Sequence, residues 1–301
     1  MSNRDEALKY AHVKADIRHL VDLPAEQRIQ ICRHDIWIDT PRLKPLLNCL
    51  NHMVYTDNQI QASSIFIHGG GGDGKSALFH RLQALGELSG KKMVFITLTE
   101  NLNRYKLHDA ICEQFSVQIG KRTTAANRLD IIEKKIHSGG IGAIVIDELS
   151  DAMLEGSTNK RIILSLLRSL AEGKLKLCVI AFGNSVANEA MILDRVLDRR
   201  FVQWELQPWK LDQHFVDFIA TYETHLPLKL ASNVASPKLR TLIHSNSHGI
   251  LDNIVKILKS AAMDAIEQGT ERITQDQIPN IDALAMKYGF KIHHPGKPKK
   301  K

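Results

Sequence analysis

The chain has 301 residues, of which 44% are hydrophobic, which is enough for one large domain or a medium domain joined to a small one. Its 40 Lys and Arg outnumber its 33 Asp and Glu; the resulting charge of +7 leans toward an anionic partner, although a solvated basic surface explains it equally well. The polar N-terminus and the lack of any apolar run near about 18 residues argue against secreted and membrane-spanning classes. Four widely spaced cysteines without a CxxC pair indicate reduced thiols in a cytoplasmic protein.

Short apolar segments alternate with helical patterns through the first two thirds of the chain. Residues 1–30 are charged and compatible with helix, and a further helical pattern follows Pro41. Strands are predicted at 63–68, 92–98, 141–147, 176–182 and 201–206, with helices at 75–86, 106–117, 125–137, 160–172 and 185–197. Continuous apolar strands separated by helices predict an α/β fold with a five-stranded parallel sheet covered on both faces.

The strand pattern stops after Pro208, and only helical segments follow. Ser236 with Pro237 predicts a helix start, Gly269 predicts a helix end, and Thr274 with Gln277 predicts a capping box. We therefore predict four parts: a charged extension at 1–30, an α/β nucleotide-binding domain at 31–207, a small helical domain at 208–285 and a basic tail at 286–301.

The stretch 68-HGGGGDGKSALFHRL-82 fits the pattern G-x-x-x-x-G-K-[ST] between a predicted strand and a predicted helix. Glycines allow left-handed dihedral angles, so successive N–H groups and the helix N-terminus can bind phosphate oxygens. Lys75 is expected to neutralise the β- and γ-phosphates of ATP and the Ser76 hydroxyl to bind Mg²⁺, while the Asp73 side chain is expected to point outward. A merely flexible glycine loop explains neither the Lys-Ser pair nor the strand before it. The predicted nucleotide-binding residues of this loop are Gly69, Gly72, Asp73, Gly74, Lys75, Ser76 and Ala77.

A second motif follows the third predicted strand, which ends in Asp147 and Glu148. In P-loop NTPases an acid at this strand end holds Mg²⁺, directly or through water, so Asp147 is predicted to bind the metal together with Ser76. Glu148 can orient and deprotonate the attacking water. One full strand separates the two motif strands in sequence, which is typical of hydrolysing ATPases.

Two further positions are candidates for catalysis. Asn184 follows the fourth predicted strand, where a polar side chain can contact the γ-phosphate or the water, although a simple turn residue is an equal alternative. Arg195, Arg199 and Arg200 precede the fifth strand, and an arginine here can reach a neighbouring subunit's nucleotide as an arginine finger. We favour Arg200; surface ion pairs are the alternative.

Longer segments extend the pattern over roughly residues 25–280. They are 26-EQRIQICRHDIWIDTPRLKPLLNCL-50, 144-IVIDELSDAML-154, 162-IILSLLRSLAEGKLKL-177, 181-AFGNSVANEAM-191, 197-LDRRFVQWELQPW-209 and 216-VDFIATYETHLPLKLASNVASPKL-239. In this order they resemble the TniB-type transposition ATPases, AAA+ proteins related to TnsC and MuB. The pairing of the first and last segments distinguishes this family from others that share the nucleotide motifs.

The resemblance implies an AAA+ ATPase with a C-terminal helical lid, which binds ATP and Mg²⁺ and assembles as rings or filaments on double-stranded DNA of any sequence. It further implies recruitment of a DDE transposase, a TniQ-like adaptor as a partner, and hydrolysis that acts as a timer. It carries over the site residues Gly74, Lys75, Ser76, Asp147, Glu148 and Asn184, with Arg200 acting in trans.

The resemblance also suggests contacts outside the nucleotide motifs. It places Trp37 and Ile38 near the adenine, where ordinary core packing is the alternative. It places DNA-backbone contacts in two loops after the second strand, at Arg104, Lys106, Lys121 and Arg122, where solvated charge is the alternative. The sequence departs from many AAA+ proteins at Asp252, where an arginine commonly follows the lid glycine.

Three other functions compete with this interpretation. A helicase loader or replication initiator is the main alternative, but no helix-turn-helix is apparent after the lid. A signalling ATPase usually carries long repeats after the lid. A metabolite kinase is disfavoured by the Asp-Glu pair and by the candidate arginine finger.

Overall fold

A parallel sheet forms the centre of the part of the chain that carries the nucleotide motifs. The computed structural model describes residues 9–55, 62–97, 107–115, 125–150, 157–171, 175 and 177–295. Its strands are β1 (Ser64–Gly69), β2 (Glu87–Leu88), β3 (Lys91–Thr97), β4 (Ile141–Asp147), β5 (Cys178–Gly183) and β6 (Phe201–Leu206). They lie in the order β2-β3-β4-β5-β1-β6, and the short β2 runs antiparallel to β3 while the other pairs are parallel. The predicted five-stranded parallel sheet is confirmed, with β2 as an addition.

The strand order brings the candidate segments to one edge of the sheet. β5 lies between β1 and β4, because Ile180 pairs with both Ile65 of β1 and Val145 of β4. Parallel strands leave the sheet at the same edge, so the segments that follow β1, β4 and β5 are neighbours there. These segments carry the glycine turn, the Asp147–Glu148 pair and Asn184.

Burial on both faces explains why these strands have continuous apolar sequences. Phe66 and Ile67 are consecutive in β1 and point to opposite faces, yet both are fully buried. The same holds for Ile144 and Val145 in β4. Helices therefore cover both sides of the sheet, as the sequence pattern predicts.

The helices are α1 (Ala25–Arg33), α2 (Lys44–Tyr55), α3 (Lys75–Leu85), α4 (Leu107–Gln114), α5 (Ala125–Gly139), α6 (Ser157–Ala171), α7 (Ser185–Leu193), α8 (Arg195–Asp198), α9 (Gln213–Glu223), α10 (Pro237–Ser247), α11 (Leu251–Glu267) and α12 (Ile281–Lys287). The prediction of one continuous helix at 185–197 is wrong, since this segment forms two helices, α7 and α8. Asp194 causes the division, because its carboxylate accepts hydrogen bonds from the N–H groups of Val196 and Leu197 and so starts a new helix.

The chain forms two units, one spanning Leu43–Gln207 and the other joining the residues up to Arg42 to those from Pro208 onward. Residues 31–42, which the sequence analysis assigns to the α/β domain, thus group with the helical unit. The reason is the packing of α1, whose Cys32 is buried in the helical core. Lys259 of α11 reinforces this packing by donating hydrogen bonds to the Arg33 carbonyl and the Asp35 carboxylate, at 2.9 and 2.6 Å.

The ends of the C-terminal helices show how the sequence delimits this unit. Thr274 and Gln277 form the predicted capping box, at the start of a 3₁₀ helix, Gln275–Asn280. Gly269 lies just beyond α11 with φ of +73°, as expected of a residue that ends a helix. The helix α10 starts where predicted, with Ser236 as its N-cap residue and Pro237 in its first turn, although the Ser236 side chain makes no capping hydrogen bond.

Candidate nucleotide site

The glycine turn joins β1 to α3 and is shaped by left-handed dihedral angles. Gly72 has φ of +87°, and Gly74, which precedes α3, has φ of +100°, values that side chains other than glycine disfavour. Gly69 is required for a different reason: a Cβ atom there would lie 2.7 Å from the Leu206 carbonyl oxygen of β6. The turn is therefore held against the sheet and ends at the N-terminus of a helix, where anions are stabilised.

Lys75 folds back over the turn. Its Nζ donates hydrogen bonds to the carbonyl oxygens of Gly69 and Gly70, at 2.9 and 2.7 Å. Burial lowers the pKa of Lys75, and the carboxylates of Asp73, Glu148 and Asp147 act in the opposite direction. A positive charge thus lies among three acids at the carboxyl edge of the sheet, where phosphate oxygens would add further acceptors.

Asp73 does not point outward, contrary to the expectation from the sequence. Its Oδ2 accepts a hydrogen bond from the Gly70 N–H at 2.6 Å, so the carboxylate closes the turn upon itself. This is the local side-chain-to-backbone bonding that Asp favours in tight turns. The loop therefore holds a negative charge beside the groups that are predicted to bind phosphate.

Asp73 should consequently oppose the binding of phosphates. Replacing Asp73 with Asn keeps an acceptor for the Gly70 N–H and removes the charge, so we expect ATP affinity to rise by about three- to tenfold. Asp73→Ala removes both features and should bind ATP more weakly than Asp73→Asn. Titration with a fluorescent ATP analogue measures both affinities. Weaker binding by the Asn variant than by the parent would contradict this role of the charge.

The Asp-Glu pair lies at the end of β4. Asp147 is only 7% exposed, and its burial raises its pKa. The Glu148 N–H, at 2.9 Å from its Oδ1, and electrostatic interactions with His80 and Lys75 act to lower that pKa. Glu148 adopts a φ of +56°, which is strained for a residue with a side chain. Such strain is typical of functional positions, and here it turns the backbone immediately after the buried acid.

His80 is a site residue that the sequence analysis missed. It lies one helical turn after Ser76 on α3, and its ring nitrogen Nδ1 is 3.3 Å from Gln83 Oε1. Its electrostatic interaction with Asp147 acts to lower the pKa of that carboxyl group. No motif marks this histidine, although its spacing of four residues from Ser76 places both on one face of the helix.

Two oxygen donors fit the predicted magnesium ion. Ser76 presents its hydroxyl in the first turn of α3, and Asp147 presents its carboxylate at the end of β4. Mg²⁺ is commonly bound by one or two protein oxygens together with phosphates and waters, so this sparse set suits it. Within the part of the chain that the structure describes, no cluster of three or more His, Cys, Asp or Glu side chains could hold a metal without such help.

Asn184 lies where the sequence predicts, directly after β5 and so between the other two segments. Its Oδ1 accepts a hydrogen bond from the Ala187 N–H at 3.1 Å and thereby caps α7. The turn role weighed as the alternative is thus present. Because the cap uses the carbonyl oxygen, any contact with phosphate falls to the side-chain NH₂ group.

The three candidate finger arginines lie around α8, next to the edge strand β6. Arg195 and Arg199 are exposed and Arg200 is partly buried. The segment is anchored by Asp194, which caps α8 and forms an ion pair with Arg168 of α6. The large apolar side chains exposed in α7, α8 and β6 are Val186, Ile192, Leu193, Val196 and Val202.

The remaining predicted residues belong to other segments of the chain. Trp37 and Ile38 belong to the helical unit, where the Trp37 Nε1 donates a hydrogen bond to Asp39 at 2.7 Å and Ile38 packs against the core. Their place beside the adenine stays a prediction. Asp252 forms an ion pair with Lys256 one turn later in α11, at 2.5 Å. The four DNA-binding candidates, Arg104, Lys106, Lys121 and Arg122, lie outside the described residues.

Comparison with solved structures identifies the fold. The chain is similar to the ORC1 protein of Aeropyrum pernix in complex with DNA, with a TM-score of 0.60 and 17% identity over 85% of this chain and 68% of that one. It is also similar to Cdc6p of Pyrobaculum aerophilum, with a TM-score of 0.57 and 14% identity over 87% and 71% of the two chains. It is similar as well to Drosophila ORC bound to DNA, with a TM-score of 0.51 and 14% identity over 89% of this chain and 72% of that one. The fold is accordingly that of an AAA+ P-loop NTPase.

Sequence comparison identifies the family. No curated protein matches the chain. None of the described helices is long and apolar enough to span a bilayer. The model of the family described as "Bacterial TniB protein" matches residues 28–211, which include the glycine turn, the Asp-Glu pair, Asn184 and the arginines. The chain belongs to the TniB family.

Proposed function

We propose that this protein is an ATP-dependent regulator of DNA transposition. It assembles on double-stranded DNA as rings or filaments and recruits a DDE transposase, with a TniQ-like adaptor as a further partner in the cytoplasm. The observation that carries the proposal is the convergence of the glycine turn, the Asp147–Glu148 pair and Asn184 at one sheet edge, within a chain of the TniB family. Two of the similar structures, those of Aeropyrum pernix ORC1 and Drosophila ORC, are complexes with DNA, which supports DNA as a partner of this protein.

Each residue of the site has a distinct role in the proposed hydrolysis of ATP. The backbone N–H groups of the turn and Lys75 bind the phosphates, and Ser76 and Asp147 hold Mg²⁺, which neutralises charge on the phosphates when bound. Glu148 accepts a proton from the attacking water, which Asn184 helps to orient. Hydrolysis limits the lifetime of the assembly on DNA.

A second subunit completes the site in this proposal. Arg200 reaches the nucleotide of the neighbouring subunit and stabilises the charge that develops on the γ-phosphate. Exposed apolar residues beside the arginines, including Leu193 at 79% exposure, suit burial between subunits. Arg199 is a matched control, since it is adjacent and exposed. Arg200→Ala should impair both hydrolysis and assembly, whereas Arg199→Ala should impair neither.

The DNA surface is tested through salt dependence. Replacing Lys106 and Lys121 with Ala should weaken duplex binding equally for all sequences and flatten its log–log salt dependence by about 0.9 per lost phosphate contact. ATP affinity should be unchanged, which serves as the internal control. Binding is measured by fluorescence anisotropy between low and high salt. An unchanged slope would assign the DNA contacts to another surface, most directly the basic residues at 296–301.

A replication initiator or helicase loader is the second candidate, because the similar structures named above include ORC1 and Cdc6p. Identities of 14–17% relate these chains by fold, and the family match favours transposition. The two functions differ in their partner. Stimulation of a cognate transposase on DNA coated with this protein supports the first, and loading of a replicative helicase supports the second.

A further inference from the structure

We propose that Ser150 is a positioning residue for ATP hydrolysis, because its hydroxyl ties the turn that carries Glu148 to the turn that carries Asn184. This inference rests on the proposed function of the site. Ser150 is 4% exposed, and its Oγ accepts a hydrogen bond from the Asn184 N–H at 2.7 Å. Ser150 follows the end of β4 and Asn184 follows the end of β5, so the bond connects the segments beyond two different strands. Glu148 lies only two positions before Ser150.

The bond lies beyond the end of the sheet's own hydrogen bonding between these strands. The paired residues of β4 and β5 end at Ile146 and Ala181, whereas β5 remains paired with β1 as far as Gly183. On the β4 side the Ser150 hydroxyl therefore continues the connection past the last paired residues. This hydrogen bond lies where β4 and β5 both leave the sheet, next to the residues that carry the candidate catalytic side chains.

Close packing keeps this connection rigid. A Cβ atom on Gly183 would lie 3.0 Å from the Ser150 Oγ and 2.7 Å from the Cζ of Phe66, so the backbone of β5 is pressed against both side chains. Leu149, the residue directly before Ser150, is fully buried and anchors this turn in the core. Neither turn can shift far without opening a void or a clash in this tightly packed part of the core.

The same contacts also fix the strained residue Glu148. Its φ of +56° is held from one side by the hydrogen bond of its N–H to Asp147 Oδ1 and from the other by buried Leu149 and Ser150. A general base and a residue that orients the water must keep a fixed separation, because small displacements of reacting groups lower the rate steeply. Ser150 supplies the hydrogen bond that maintains this separation.

The chain contains a matched control for a merely structural role. Ser64 is fully buried, and its Oγ accepts a hydrogen bond from the Val179 N–H at 3.1 Å. Ser64 and Ser150 thus make the same kind of bond to β5, one near its start and the other just past its end. Removal of either hydroxyl takes the acceptor from a backbone N–H that is buried for Val179 and partly buried for Asn184, but only Ser150 lies beside the site.

The test compares Ser150→Ala with Ser64→Ala in the full chain. Both should lower the melting temperature. Only Ser150→Ala should reduce kcat for ATP hydrolysis, by about three- to tenfold for one lost hydrogen bond, with the affinity for an ATP analogue unchanged. Ser150→Cys, which nearly preserves the volume but accepts hydrogen bonds poorly, should reproduce the loss of kcat if the Ala variant does not fold.

A double-mutant cycle identifies the residue through which Ser150 acts. In an Asn184→Ala background, Ser150→Ala should reduce kcat by less than it does alone, because the side chain that it positions is already missing. Equal kcat for the parent, Ser150→Ala and Ser64→Ala, or losses at Ser150 and Asn184 that simply multiply, would overturn the inference. A parent protein that does not hydrolyse ATP would overturn the proposed function instead.

Discussion

Replacing Glu148 with Gln should leave ATP binding intact and reduce hydrolysis by roughly 10²–10⁴-fold, the usual effect of losing a general base. The substitution keeps the size of the side chain and its place after the buried Asp147. Phosphate binding and Mg²⁺ depend on Lys75, Ser76 and Asp147, which remain. Release of phosphate and binding of an ATP analogue measure the two effects separately.

The same variant tests whether hydrolysis limits the lifetime of the DNA-bound assembly. If it does, Glu148→Gln complexes on DNA should persist well beyond those of the parent, because the γ-phosphate continues to bridge one subunit to Arg200 of the next. Arg200→Ala removes that bridge and should shorten the lifetime. Glu148→Gln complexes that dissociate as fast as the parent would show that hydrolysis is not the timer.

Replacing Lys75 with Ala should abolish detectable ATP binding. The Lys75 ammonium lies 2.9 and 2.7 Å from two carbonyl oxygens of the turn, so its removal takes away both the charge that phosphates require and the contact that holds the turn folded. DNA binding that depends on ATP should be lost with it.

Lys134 provides the control, because it is an exposed lysine on α5 that belongs to none of the nucleotide motifs. Lys134→Ala has the same change of charge and should bind ATP as the parent does. Calorimetric titration of both variants with ATP and Mg²⁺ gives the comparison. Affinity close to that of the parent in Lys75→Ala would refute the assignment of the glycine turn.

The elements that could be predicted from the sequence are those with strong local signals. Strands such as Ile141–Asp147 carry continuous apolar residues because both faces of the sheet are covered, and that pattern predicts the bounds of the five parallel strands to within two residues. The glycine turn and the Asp-Glu pair could be found because phosphate binding needs particular residue types at fixed spacing. Asn184 follows β5 as the sequence predicts, and the turn role weighed as the alternative is present as its cap on α7, while its contact with the nucleotide stays a prediction.

The features that the sequence did not reveal depend on contacts between distant segments. The bond from the Asn184 N–H to Ser150 joins residues 34 positions apart, and neither residue type marks it. The grouping of α1 with the helical unit depends on the burial of Cys32 among residues from the C-terminal part of the chain. The outward direction predicted for Asp73 is wrong, because its carboxylate bonds instead to the nearby Gly70 N–H, a local contact that the P-loop pattern does not specify.

Electron microscopy can show directly whether nucleotide binding controls assembly on DNA. The protein is imaged with a non-hydrolysable ATP analogue and Mg²⁺, with and without duplex DNA of arbitrary sequence, and beside Lys75→Ala as the control. We predict regular rings or filaments on DNA that require both the nucleotide and Lys75. Bare DNA in every sample, or assemblies that form equally well with Lys75→Ala, would show that nucleotide binding does not control assembly on DNA.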